Sequence, residues 1–485
     1  MNNLLTLPVM LPLGFSLLAL LWPRRASSIG ILALLATLLA SAWLTWRIAG
    51  SGPMLLALGG WEPGLGIALY ADALSSTLLL MSSIVALAAG VYSTGYFREP
   101  GERARFWPLW LLLLTALHAL FLSGDLFNLY VTLELLGLSA VALAALGGKR
   151  KAVEAALRYL ILGLLGSLLF LAGVALIYAG YGTLDLMKLR EMLAPEPVAW
   201  VALTLMISGL LLKSALFPLH FWLPPAHANA PAPVSAVLSA LVVKAALYLL
   251  LRFWLDIFDD VVTTFAAWLL GTLGAMAVLW GSWKALRAVR LKLLAAYSTV
   301  AQLGYLFLFF PLLDALPAGA AHDTALGSLI LMALTHGFAK SALFLATGVI
   351  QQRAGHDRIE ELGGAARALP ATVFTLALAG VALIGLPPSG SFLAKWQLFS
   401  AAIATGQWLW IPVIATGSLL AAAYVFRILG YAFAPAESVK YRIADGREEL
   451  PALILAILAT LLLGFGSIWV WEFVTPGALA AGEAA

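Results

Sequence analysis

The chain has 485 residues, of which 62% are hydrophobic and 11% charged, and its 28 lysines and arginines against 24 acids leave a net charge of +4. That composition excludes an ordinary soluble domain, and in so apolar a chain a small basic excess belongs to loops flanking a membrane and not to nucleic-acid binding. With no cysteine, thiolate-held iron–sulfur clusters, cysteine nucleophiles and disulfides are excluded too, so any redox chemistry belongs to a partner chain.

Apolar runs of about 20 residues each match the length that spans a bilayer as a helix. They predict an all-α polytopic membrane protein with fourteen helices, at 4–21, 29–49, 72–96, 107–123, 126–146, 158–180, 199–222, 234–252, 262–283, 292–311, 325–350, 371–405, 409–431 and 452–473. The first, Leu4 to Leu21, lacks a basic n-region and a small-residue cleavage site, and reads as a retained helix. Taking alternate loops, nineteen basic residues fall on one side, from Arg24 and Arg25 through Lys284, Arg287, Arg290 and Lys292 to Lys440, Arg442 and Arg447. Four fall on the other: Arg47, Lys188, Arg190 and Arg252. Cytoplasmic loops carry the lysine and arginine excess, so both termini are expected outside the cytoplasm, with the chain in the inner (plasma) membrane.

The remaining five, Lys213, Lys244, Lys340, Lys395 and Arg427, fall inside apolar spans. A lysine near the bilayer centre is costly and needs a reason to stay there. Lys213 and Lys244 flank a segment with five prolines (Pro218, Pro224, Pro225, Pro231, Pro233) and two histidines, His220 and His227. Proline breaks the seventh helix there and frees carbonyls. A second break, Leu386-Pro387-Pro388-Ser389-Gly390, interrupts the twelfth helix close to Lys395. Five spans separate the breaks, and an odd offset inverts direction across the membrane, as inverted repeats require.

Glu134 is the sole interior acid of the fifth helix, about 9 Å of helix rise from its outer end. One acid and four lysines in hydrocarbon cannot all stay charged unless paired or hydrated, which is the condition a proton relay exploits. His336 and Lys340 stand four residues apart, on one face of the eleventh helix, close enough to exchange a proton. His220 follows Lys213 by seven residues, on roughly the same face if the helix continues, and His227 lies in the proline-rich connection. These two, with Asp125 at the outer end of the fifth helix, are candidates for a secondary proton path. Against that, histidines often serve packing alone, as His118 is expected to, and Asp125 equally suits a helix N-cap. Arg252 and Arg427, near helix ends, suit snorkelling or structural ion pairs. Phosphate loops, dinucleotide fingerprints, nucleophile elbows and zinc-spaced ligands are missing from the sequence, so no cofactor or metal is expected.

The segments LFNLYVTLELL with Glu134, LLKSALFPLHFWLPPAHANAPAPVSAVLSALVVK, LTHGFAKSALFL and GLPPSGSFLAKW resemble the antiporter-like membrane subunits shared by respiratory complex I and the Mrp cation/proton antiporters. The opening MNNLLTLPVMLPL and the length are most similar to the D-type subunits of Mrp antiporters. The resemblance implies helices 1–3 (1–106), two inverted five-helix repeats (107–254 and 255–432) and a C-terminal helix and tail (433–485). It also implies a hydrated axis along the membrane midplane, in which Glu134 pairs with Lys213 and Lys244 is the central relay. His336 and Lys340 continue that axis, and Lys395 ends it where the M-type subunit of complex I has a glutamate.

Three functions are open at this point. The first is a proton-translocating subunit of a multi-subunit sodium/proton antiporter, partnered by other membrane subunits and exchanging protons for a monovalent cation. The second is a proton-pumping membrane-arm subunit of an NADH-quinone oxidoreductase or membrane-bound hydrogenase. The third is a scaffold with no ion path of its own.

Overall fold

The computed structural model describes residues 2–61, 66–435, 441–442 and 446–475. Lys440, counted above among the basic loops, and the tail beyond residue 475 lie outside the described residues. Twelve helices among the described residues are long and apolar enough to cross a membrane, and two shorter apolar helices, Pro197–Lys213 and Pro370–Ile384, occupy the seventh and twelfth places. The chain is therefore a multi-pass helical membrane protein, and the described residues hold an apolar helix at each of the fourteen places its hydropathy predicts.

Both expected breaks are present. The seventh helix ends at Lys213, passes through Ala215 at φ +55° and resumes as a short helical stretch, Leu219–Trp222 and Leu223–Asn229. A residue with a Cβ in the left-handed region is strained, and here it turns the chain out of its helix. The twelfth helix stops at Ile384, turns at Gly385 (φ +83°), and restarts at Gly390, where the Ser389 hydroxyl caps Phe392 N at 3.2 Å. Glycine alone takes that positive φ freely, and a Cβ there would stand 2.8 Å from Lys395 Cδ.

Packing follows side-chain size. The sixth helix (Arg150–Tyr181) lies against the seventh at Gly166 and Gly209, and a Cβ on Gly166 would sit 2.9 Å from the Gly209 carbonyl oxygen. Small residues at such crossings let backbones approach where the hydrophobic effect gives no help. The eighth span (Ala232–Ile257) and the eleventh (Ala320–Ala354) are buried all round, whereas the sixth is buried over a third of its length and turns the rest outward. At the end of the eleventh helix Arg353 pairs with Glu448 at the start of the fourteenth, and the neighbouring Glu449 accepts from Thr372 N at 3.2 Å, joining the last span to the core.

Several features have no counterpart in the hydropathy reading. Met54–Ala57 and Ala68–Ala71 form an antiparallel hairpin, with Met54 opposite Ala71. A short helix, Leu186–Met192, follows the N-cap Asp185. The eighth span contains two π-helical segments, Leu238–Val242 and Phe253–Ile257. Lys292, expected in a loop, instead occupies the first turn of the tenth helix (Leu291–Phe307), where it is 2% exposed.

Candidate functional site

The fifth helix (Leu126–Ala144) presents Glu134 to the end of the first half of the seventh, where Lys213 Nζ stands 3.5 Å from Glu134 Oε1. The close Gly166–Gly209 crossing one turn earlier sets that position. A cavity of about 30 Å³ lies between the two side chains, bordered by Tyr159, Gly137 and, from the eighth span, Val242 and Ala246. That is room for about one or two waters, and Val242 and Ala246 each lie two residues from Lys244.

Lys244 lies just beyond the first π segment, and its Nζ donates to the Ser239 carbonyl at 3.0 Å. A π turn widens the helix and misaligns its ladder, which leaves a carbonyl for a side chain to use. The Ser239 hydroxyl pairs in turn with Thr299 Oγ1 at 2.8 Å on the tenth helix. From the eleventh helix, Lys340 Nζ donates to the Ala295 carbonyl at 2.9 Å and to the Ser298 hydroxyl. His336, one turn before it, is fully buried, and neither ring nitrogen has a hydrogen-bond partner among the described residues. Its ring lies within electrostatic reach of Lys244, Lys340 and Lys395.

Lys395 reaches back across the second break. Its Nζ donates to the carbonyls of Ile384 (3.0 Å) and Leu383 (3.4 Å) and to the Ser418 hydroxyl (3.2 Å), and it sits 4.2 Å from the centre of the Tyr305 ring. The ammonium thus rests on the carbonyl end of Pro370–Ile384, where the helix dipole is negative, and on an aromatic face. Among the described residues Lys213 has a carboxylate partner, whereas Lys244, Lys340 and Lys395 are held by carbonyl and hydroxyl oxygens. Neutral oxygens remain neutral whichever protonation state the amine adopts, so a proton can arrive or leave without stranding a buried anion.

The secondary candidates divide. His220 stacks on Phe217 at 5.4 Å between ring centres, but the helix carrying Lys213 has ended before it, so the seven-residue spacing defines no shared face. His227 is buried, stacked on Phe344 at 5.2 Å, without a partner at either nitrogen among the described residues, and within electrostatic reach of Lys340, Lys292 and Lys244. Asp125 is the N-cap of the fifth helix, accepting from Asn128 N at 2.8 Å, and burial raises its carboxyl above the usual carboxylate range. His118 bridges Ser82 and the Pro8 carbonyl at 2.9 and 2.8 Å as a packing residue.

Lys292 takes on more importance than its sequence position indicates. Lys292 Nζ donates to the Ala230 carbonyl at 2.8 Å, while Arg290 beside it pairs with Asp357 at 2.9 Å. Nothing in LKLLAAYST distinguishes a buried first-turn lysine from a loop lysine, because hydropathy is silent on which side of a helix end faces a neighbour. Arg252 forms the structural ion pairs its helix-end position suits, 2.6 Å from Asp72 across the fold and 3.4 Å from Asp256 on its own helix. Arg427 donates to the carbonyls of Leu286 and Ala288, closing the end of the ninth helix.

Comparison with known proteins is consistent with this geometry. Residues 123–421 match the family described as NADH:quinone oxidoreductase/Mrp antiporter, TM. The chain is 36% identical over 433 residues to the N-type subunit of an NADH-quinone oxidoreductase from Desulforudis audaxviator, covering 86% of this chain and 84% of the relative. It is 30% identical to the D-type subunit of a Na+/H+ antiporter from Bacillus subtilis, covering 99% of this chain and 97% of the relative. A chain in the solved Mrp complex from Dietzia superposes with a TM-score of 0.90 at 26% identity, covering 99% of this chain and 97% of that one.

Proposed function

Since this chain belongs to the NADH:quinone oxidoreductase/Mrp antiporter transmembrane family, we propose that it is a proton-translocating subunit of a multi-subunit monovalent cation/proton antiporter, with sodium as the cation. The observation that carries this reading is the contrast along the axis. Lys213 is paired with Glu134, and Lys244, Lys340 and Lys395 are buried on neutral oxygens.

Protons move by protonation of those amines in turn, with His336 between them. When Glu134 holds Lys213, the positive charge is drawn away from Lys244, which then accepts a proton more readily. When the pair opens, the released charge turns toward Lys244 and favours release. The effect is Coulombic and needs only a side-chain rotation. A cation moving against the proton, here or in a neighbouring membrane subunit, completes the exchange. The two inverted repeats (107–254 and 255–432) supply the matching breaks, and the alternation of basic loops supports a plasma-membrane orientation with both termini outside the cytoplasm.

A second reading, a proton-pumping membrane-arm subunit of a redox complex, draws on the 36% identity to an N-type subunit of an NADH-quinone oxidoreductase. In everted vesicles carrying the whole complex, an imposed pH gradient drives sodium exchange if the first reading is correct. Proton uptake that starts only on adding an electron donor establishes the second. Normal assembly with full transport in Lys244→Ala would falsify both and leave a scaffold.

A further inference from the structure

Helix periodicity places Lys244, Tyr248, Arg252 and Asp256, each four residues from the last, in one stripe along the eighth span. The stripe starts at the midplane lysine and ends in a charged cavity of about 520 Å³ at the end of the fold carrying the 54–71 hairpin, bordered by Asp72, Arg252, Asp256, Asp259, Asp314 and His322. The contacts between these groups are continuous on the cavity side. Arg252 Nε donates to the Tyr248 hydroxyl at 3.1 Å, which itself donates to the Phe121 carbonyl at 2.9 Å. A second Arg252 nitrogen touches Asp72 Oδ1 at 2.6 Å without hydrogen-bond alignment, and a third lies 3.4 Å from Asp256, which also meets Arg190 at 3.4 Å. A small cavity of about 20 Å³ touches Tyr248, Arg252, Arg190 and Asp256, room for about one water.

We propose that this stripe is an outlet from Lys244 to the face opposite the basic loops, with the Tyr248 hydroxyl as its proton-handing link and the Asp72–Arg252 pair as its gate. The proposal rests on Lys244 being a relay group. As the structure stands the outlet is shut. Lys244 Nζ points back to Ser239, away from the cavity, and the guanidinium lies against Tyr248 with its ring at 5.2 Å. A fixed positive charge at that place repels an arriving proton and fills the passage.

Opening requires the guanidinium to leave Tyr248 while keeping a carboxylate, and Asp256 beside Asp72 provides one. Lys244 then turns one helical step toward the hydroxyl. The lysine N–H bond breaks as the phenol oxygen takes that proton, and the phenol's own O–H proton passes to a water in the cavity. The phenol ends neutral, the lysine ends as an amine, and the positive charge leaves as hydronium toward Asp256 and Asp259. Arg252 and Asp72 touch no transferred proton and act by position alone.

The chain has no cysteine, which permits a direct test in the assembled complex. Ala245→Cys places a thiol beside Lys244, three residues from Tyr248 and seven from Arg252, hence toward the same stripe. A membrane-impermeant thiol reagent, applied from the cavity side, is expected to modify an Asp314→Cys control and to spare Ala245→Cys. Adding Arg252→Gln is expected to accelerate modification at 245 roughly tenfold or more as the gate loosens. Equal modification at 245 with and without Arg252→Gln overturns the gate. Tyr248→Phe, which keeps the ring, is expected to lower proton flux roughly 10²-fold in a normally assembled complex. Flux kept by Tyr248→Phe but lost in Lys244→Ala overturns the link alone, whereas flux kept in both overturns the relay reading beneath it.

Discussion

Glu134 Oε1 and Lys213 Nζ stand 3.5 Å apart, a Coulombic contact looser than an aligned hydrogen bond, with 20% and 11% of their side chains exposed at a small cavity. A tight pair would be a lock, and this spacing leaves room for the two charges to separate. Removing either partner breaks the same switch. We expect Glu134→Gln and Lys213→Ala each to lower pH-gradient-driven exchange by roughly tenfold or more, and the double variant to be no worse than the weaker single one. Initial rates in vesicles decide the point, and additive losses would mean two independent roles.

Among the described residues Lys244 meets a carbonyl and no carboxylate, so its replacement by Ala leaves no buried anion behind. The complex should assemble in normal amounts and lose proton flux by roughly 10²-fold or more. Lys244→Arg should not restore it, because a guanidinium holds its charge permanently. Subunit recovery and flux measured on the same preparation separate a transport defect from a folding defect.

At the crossing of the sixth and seventh helices a side chain has nowhere to go. Gly166→Val should destabilise the fold by about 1–3 kcal/mol through overpacking against the Gly209 backbone, seen as a lower thermal midpoint in detergent. Gly163→Val, three residues away, where an added Cβ meets nothing within 4 Å, is the control and should be close to neutral.

Asp125 separates a capping role from a proton-path role. Asparagine caps as well as aspartate, so Asp125→Asn should keep both stability and exchange, whereas Asp125→Ala should cost about 1 kcal/mol. Burial raises this carboxyl, so folding disfavours its charged form. Its contribution is present below the ordinary value of 3.8 and falls as pH rises through the raised one. Asp125→Asn should remove that slope from the pH dependence of thermal stability. Loss of exchange in Asp125→Asn would restore it to the proton path.

Much of the architecture is legible in the residues themselves. Four lysines in apolar runs are energetically conspicuous, and the proline clusters beside Lys213 and Lys395 mark both broken helices. Glu134 stands out as the single interior acid of the fifth span, while its pairing with Lys213 is what the family resemblance implies and the 3.5 Å contact bears out. Other features leave weaker traces. The π segment beneath Lys244 lies in a span buried all round, and Leu-Ser-Ala-Leu-Val is ordinary helix composition. The hairpin strands are apolar stretches of four residues, too short to separate from a loop. The Asp72–Arg252 contact joins groups 180 positions apart, each explicable alone as a cap or a helix-end cation. Hydropathy registers how apolar a segment is, and these features depend on what lies opposite.

The eleventh helix, 35 residues and about 52 Å long, exceeds the ~30 Å hydrocarbon thickness of a bilayer, yet its apolar stretch is buried all round. Lipid therefore does not touch the element carrying His336 and Lys340, and changes in acyl-chain length or bilayer tension reach it only through other helices. The fifth and sixth helices, which face outward beside Glu134, have no such insulation. Sensitivity to lipid composition, or to a neighbouring subunit pressed against that flank, should thus enter at one end of the axis while its middle keeps a constant environment.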